Sequence, residues 1–243
     1  MSTPRIAVLL TNADDSAFAQ AYPNDGQKVI DLLRPQRPDW VFEVVMAKDD
    51  EWPQAPQSFD AYVITGSPAS VNDEALPWLP GLFDWIRRVH AARLPMVGLC
   101  FGHQAIAKAL GGQVAPHLGG WGLGLGDTHW HSPAPWMQPL QAHTRLMAAH
   151  NEQVVQMPAE AACMGSSSFC PVAAMRIGEH VFTTQFHPEM SRAFMDDLLD
   201  FLRPRLSPEV WARAQHSLQA SDDTPLFAQW MLQFMEHAWE QQR

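Results

Sequence analysis

A chain of 243 residues with 47% hydrophobic side chains and ten tryptophans can bury a large core, which excludes a disordered polymer and favours one α/β domain or a domain with a small appendage. Its formal net charge of -10 comes from 26 acidic against 16 basic residues, with the bases scattered along the chain. That excludes nucleic acid as a partner, because phosphate neutralisation needs clustered Lys and Arg, and no apolar run is long enough to make membrane a partner either.

The first element is the run RIAVLLT at 5–11, which reads as a strand; no basic leader and long apolar segment precede it, so no signal peptide is expected. A helical pattern follows around 27–33, then a strand WVFEVVMA at 40–47, a strand AYVITG at 61–66, a helix near 79–92 and a strand PMVGLC at 95–100. Continuous β-branched runs separated by helices are the pattern of a parallel sheet covered on both faces. The predicted fold is therefore α/β, an open, mostly parallel twisted sheet with helices on both faces, and its ligands belong outside the carboxyl ends of the strands.

From about 111 to 156 the pattern loosens into Gly, Pro, Trp and His, read as short strands and surface loops leading into a small antiparallel extension. HVFTTQF at 180–186 reads as a strand again and ends at His187. After Ser191 the chain reads as helical, with breaks around 206–208 and 221–225. The expected division is a main domain over 1–200 and a C-terminal helical extension over 201–243. In that extension Phe227, Trp230, Met231, Phe234, Met235 and Ala238 recur at helical spacing, facing either the protein's own core or the partner in a homodimer.

Cys100, Cys163 and Cys170 cannot make a disulfide framework, and an odd count fits a reducing compartment, so the cytoplasm is the expected location. Cys163 and Cys170 sit in a small-residue loop and read as packed thiols. Cys100 differs. It lies in GLCFGHQ at 98–104, at a strand-to-helix junction, with Gly98 and Gly102 at minus two and plus two, the spacing of a nucleophile elbow. The positive end of the following helix dipole favours thiolate over thiol.

Such a nucleophile needs a base, and QFHPE at 185–189 supplies one. His187 follows a strand, Glu189 is two residues on, and in extended chain the carboxylate falls on the same side as the imidazole. Pro188 stiffens the link. The carboxylate would orient the ring while the ring takes the thiol proton. His129 and His131 flank Trp130 and share a strand face, yet no third ligand stands at a recognised spacing, so no metal is expected.

GLCFGHQ and QFHPE, in this order, resemble the class I glutamine amidotransferases, whose glutaminase modules carry a Cys-His-Glu triad. The resemblance covers most of 5–190. ITGSPAS at 64–70 is similar to the family's oxyanion loop and HNEQV at 150–154 to its loop beside the glutamine site. ALGG, GW and SSSFCP segments further resemble the amidotransferase domain of GMP synthase. The resemblance implies a flavodoxin-like amidotransferase fold, no cofactor, and attack of Cys100 on the side-chain amide of glutamine. His187 would protonate the departing ammonia, and water would cleave the γ-glutamyl thioester. It further implies an oxyanion hole from backbone amides of Gly66 or Ser67 and of Phe101, with Gln104, Asn151 and Glu152 at the substrate. The family usually has glycine where Ser67 stands, so a positive φ there would be strained.

No SGGVDS-like loop or GxxxxGK(S/T) is present, so ammonia transfer would need a separate synthetase subunit. The alternative substrate is a γ-glutamyl peptide or amide with water as the final acceptor. A catalytically silent regulatory protein has no need of all three triad residues. A Cys-type α/β-hydrolase would place its acid well before its histidine.

Overall fold

The computed structural model of the chain describes residues 3–241. Its parallel half is built from β1 (Arg5–Leu9), β2 (Val41–Val45), β3 (Ala61–Ile64), β4 (Met96–Leu99) and β11 (Val181–Thr184). The remaining strands are β5 (Gln113–Pro116), β6 (Gly122–Trp130), β7 (His143–His150), β8 (Glu152–Gln156), β9 (Ala161–Ser166) and β10 (Ala174–Ile177). Nine of these form one sheet in the order β2-β1-β3-β4-β11-β10-β9-β6-β7, and β5 pairs with β8 in a small second sheet. From β2 to β11 every pairing is parallel, and from β11 to β7 every pairing is antiparallel.

Side chains alternate across the parallel half as a pleated strand requires. Ile6 and Val8 of β1 join a core on one face, and Ala7 and Leu9 join the core on the other. The second face is covered by α3 (Leu79–Ala91) and α4 (Phe101–Ala109), the first by α2 (Asp25–Leu33) and α7 (Thr224–Glu240). A short α1 (Ala17–Gln20), α5 (Arg192–Leu202) and α6 (Pro208–Ser217) complete the α-helices among the described residues. Their starts are local chemistry: Asn24, Ser191 and Ser207 each accept a hydrogen bond from the amide three residues on. Pro208 at the first position of α6 loses no helical hydrogen bond.

The stripe on α7 belongs to the core. Phe227, Trp230, Met231, Phe234 and Met235 are buried, with Phe182 of β11 stacked on Phe227 at 5.6 Å between ring centroids. The loosened segment at 111–156 is more ordered than its pattern suggests. It contains a nine-residue and an eight-residue strand paired over their length, so the antiparallel part of the sheet equals the parallel part in number of pairings. The cause of the weak pattern is close packing on glycine. A Cβ at Gly124 would stand 2.2 Å from Ser217 Oγ and one at Gly126 2.3 Å from the Phe186 ring, so β6 carries glycine where other strands carry Val or Ile.

Because β3, β4 and β11 are neighbours, the residues just past their carboxyl ends converge. Those residues are Gly66, Cys100 and His187.

Candidate active site

Cys100 leaves β4 and caps α4 with φ 46° and ψ -100°, a backbone state that costs a non-glycine residue about 1–3 kcal/mol. Two hydrogen bonds fix the turn: its amide donates to the Thr184 carbonyl at 2.9 Å and its carbonyl accepts from the Gln104 amide at 3.1 Å. Gly102 makes the elbow sterically feasible, since a Cβ there would stand 2.4 Å from the Ile64 carbonyl oxygen. The thiol residue is 4% exposed.

His187 is held by the antiparallel part of the sheet, its amide donating to the Met147 carbonyl at 2.8 Å. Its Nδ1 lies 2.7 Å from Glu189 Oε1, and both side chains are buried. A carboxylate oxygen accepts, so Nδ1 carries the hydrogen and Nε2 is left for the sulfur. Among the described residues Nε2 has no hydrogen-bond partner. Burial works against a charged ring here, but Cys100 and then Glu189 outweigh it and hold the His187 pKa well above its ordinary value. Gly66 lies against both residues, for a Cβ on it would approach His187 Cε1 to 2.7 Å and Cys100 Cβ to 3.8 Å.

The loop after β3 is tied through its carbonyl: Gly66 O accepts from Thr11 Oγ1 and Thr65 Oγ1, each at 3.1 Å. Ser67 is not among the residues at positive φ, which apart from glycine are Asp50, Arg93 and Cys100. Serine therefore stands there without backbone strain. Phe101 opens α4, where a helix amide has no acceptor within its own helix.

Gln104 donates from Nε2 to the Glu152 carbonyl at 2.7 Å and to Gln185 Oε1 at 3.1 Å. Gln185 in turn donates to Cys100 Sγ at 3.5 Å. It is thus the backbone of Glu152, not its carboxylate, that meets Gln104. Asn151 is exposed, and its carbonyl accepts from the His117 amide at 2.7 Å. Gln185 was visible in sequence as the first residue of QFHPE, but nothing in its spacing gave it a contact with the sulfur. The Thr11–Thr65 pair that anchors Gly66 carried no sequence signal.

The other thiols sit apart chemically. Burial pushes Cys170 up to about 12 and also raises Cys163. His103 and His150 are buried and lowered to about 3, so both are neutral at physiological pH. His131 bonds Ser166 at 2.6 Å and His129 lies beside His143. Among the described residues no group of three His, Cys, Asp or Glu is arranged to hold a metal ion, and no helix is long and apolar enough to cross a membrane.

A cleft of about 760 Å³ opens at Gly66, Ser67 and His187. It runs between the segment around α1 and the helix α5, and Gln104, Asn151 and Glu152 take no part in its wall. Trp121, from the GW segment, does, and so do Phe194 and Leu198, which no sequence motif suggested.

The site thus sets a cysteine on a strained strand–helix elbow of an α/β sheet beside a carboxylate-bound histidine. The sequence model of the family described as Glutamine amidotransferase class-I matches residues 41–199, and the chain belongs to that family. Among curated proteins it is similar to γ-glutamyl peptidase 4 of Arabidopsis thaliana, 28% identical over 209 residues that cover 82% of each chain. It also resembles GMP synthase [glutamine-hydrolyzing] of Streptococcus pneumoniae (strain CGSP14), 28% identical over 140 residues, 56% of this chain and 26% of that one. A solved glutamine amidotransferase from Thermotoga maritima shares the fold, with a TM-score of 0.76 at 18% identity, covering 97% of this chain and all of that one.

Proposed function

We propose that the chain hydrolyses γ-glutamyl amides, glutamine being the smallest, through a thioester on Cys100. The observation that carries this reading is the buried His187–Glu189 pair at 2.7 Å, set beside a cysteine in a strained elbow. The Cys100 sulfur attacks the amide carbonyl carbon and the oxyanion is taken by the amides of Gly66 or Ser67 and Phe101. The C–N bond breaks as His187 gives its proton to nitrogen. Water then attacks the thioester, returns a proton to His187, and leaves glutamate and free Cys100. Glu189 holds the ring in the productive tautomer throughout. Gln104, with Asn151 and Glu152 at the junction of β7 and β8, contributes to the glutamyl side of the site.

Water is the final acceptor in this reading. The peptidase relative matches over most of both chains, whereas the chain spans only 26% of the GMP synthase it matches. The latter match favours a second reading, in which the protein is the glutaminase of a separate synthetase subunit. Its residues 1–200 would then be the amidotransferase unit and 201–243 an extension. Three free cysteines fit a cytoplasmic protein in either case.

The purified chain, without additions, should release glutamate from γ-glutamyl dipeptides at about 1 per second or faster. Idleness on dipeptides and glutamine alike, relieved by a synthetase partner, would replace the first reading with the second.

A further inference from the structure

Hydrolysis of an amide has two sides at the sulfur, the acyl group that stays and the amine that leaves. The amine must depart past the group that protonates it, here His187. Among the described residues the large cleft and the site just described share His187, Gly66 and Ser67, while Cys100, Phe101, Gln104, Glu152 and Gln185 lie outside its wall. We infer that this cleft seats the substituent on the scissile nitrogen, so the substrate is an N-substituted γ-glutamyl amide whose amine has an apolar, ring-sized body. The inference rests on the amidase reading above.

Size is the first argument. Departing ammonia needs about as much room as a water molecule, roughly 30 Å³, and the cleft holds about 760 Å³. Its wall gives the chemistry. Phe18, Tyr22, Trp121, Phe194, Leu198 and Phe201 line it. The rings support one another: Phe18 stacks on Phe201 at 4.7 Å and Tyr22 meets Phe194 edge-on at 4.9 Å. Such a surface recognises rings and hydrocarbon.

Charge in the wall is balanced. Asp25 is bonded to Lys28 at 2.8 Å and to Asn12 at 2.7 Å, and Lys28 lies 3.7 Å over the Phe194 ring. Asp14 and Arg205, the remaining acid and base, are exposed and of opposite sign. Two acids and two bases therefore leave the wall without net charge. The Lys28 ammonium over Phe194 joins α2 to the ring cluster on α5.

The test compares γ-glutamylanilide, γ-glutamylglycine and glutamine on the full chain, with Leu198→Trp to fill the cleft and Phe201→Ala to strip an exposed wall residue that folding can spare. The parent should prefer the anilide on kcat/KM. The anilide-to-glutamine ratio should fall about tenfold or more in Leu198→Trp and by a smaller factor in Phe201→Ala, in line with the 10- to 200-fold value of small changes in an apolar pocket. A ratio unmoved in both variants, or a parent that prefers glutamine or γ-glutamylglycine, overturns the assignment. Cys100 should meanwhile react with a glutamine-like chloroketone. If Cys100 is inert and none of the three amides is cleaved, the amidase reading has failed and the assignment falls with it; a reactive Cys100 with an unmoved ratio sinks the assignment alone.

Discussion

The two halves of the large sheet serve the site in different ways. The parallel half delivers side chains: Cys100 from the end of β4, His187 and Glu189 from beyond β11, with Gly66 from β3 between them. The antiparallel half delivers backbone carbonyls, Met147 O to the His187 amide, and the adjoining small sheet adds Glu152 O to the Gln104 side chain. Reactive groups depend on residue identity. A carbonyl clamp depends only on where a strand runs, so one half can be read as chemistry and the other only as shape.

The sharpest break of this contrast is Cys100→Ala, which removes the nucleophile and little volume. Turnover should fall by about 10⁶-fold with the thermal unfolding transition preserved. Residual hydrolysis within tenfold of the parent would mean that another group attacks. Glu189→Gln comes next. The acid orients the ring without itself moving the proton, so a drop of about 10⁴-fold, smaller than that of His187→Ala, is expected in kcat. Equal rates in Glu189→Gln and the parent would remove Glu189 from the triad.

A break in the antiparallel half should be milder and purely geometric. Gly126→Val would drive a side chain into the Phe186 ring, whose neighbour is His187. A displacement of about 1 Å costs on the order of 10²-fold, so kcat should fall by about that factor while Cys100 still reacts with electrophiles. Unchanged kcat would show that the antiparallel half does not position the base.

The smallest effects are in pH. His187, raised in the folded state, lends stability that is complete below about pH 6.5, its unfolded value, and is lost as pH rises through its folded pKa. His103 and His150 behave oppositely. Lowered to about 3 by burial, they lend stability above about pH 6.5 that is lost as pH falls towards 3. Urea unfolding across pH should show an acid limb that flattens in His150→Gln and a limb above pH 6.5, in the direction of the raised value, that flattens in His187→Gln. An acid limb identical in His150→Gln and the parent would contradict the buried neutral state of that ring.

The same division explains what was legible in the sequence. The parallel strands at 5–11, 40–47, 61–66, 95–100 and 180–186 announce themselves through continuous apolar runs, buried on both faces in all but the edge strand β2. GLCFGHQ and QFHPE point to Cys100, His187 and Glu189 because a strained elbow and an oriented base restrict residue type. β6 stays hidden because Gly124 and Gly126 make room for α6 and Phe186 instead of burying their own side chains. The cleft is equally silent. Phe18 and Phe201 are 183 positions apart, and only the fold stacks them. Gln185 stood in a recognised motif, but its hydrogen bond to the sulfur depends on the register of β11 beside β4.

The central claim is a γ-glutamyl thioester on Cys100. Rapid quenching of the chain with γ-glutamylanilide in acid, followed by peptide mass spectrometry, tests it directly, because acid halts the hydrolysis that would clear the intermediate. The expected result is a single γ-glutamyl adduct on the peptide bearing Cys100, with Cys163 and Cys170 unmodified and no adduct in Cys100→Ala. Steady anilide cleavage with no adduct on Cys100, or with an adduct on Cys163 or Cys170 instead, would contradict it.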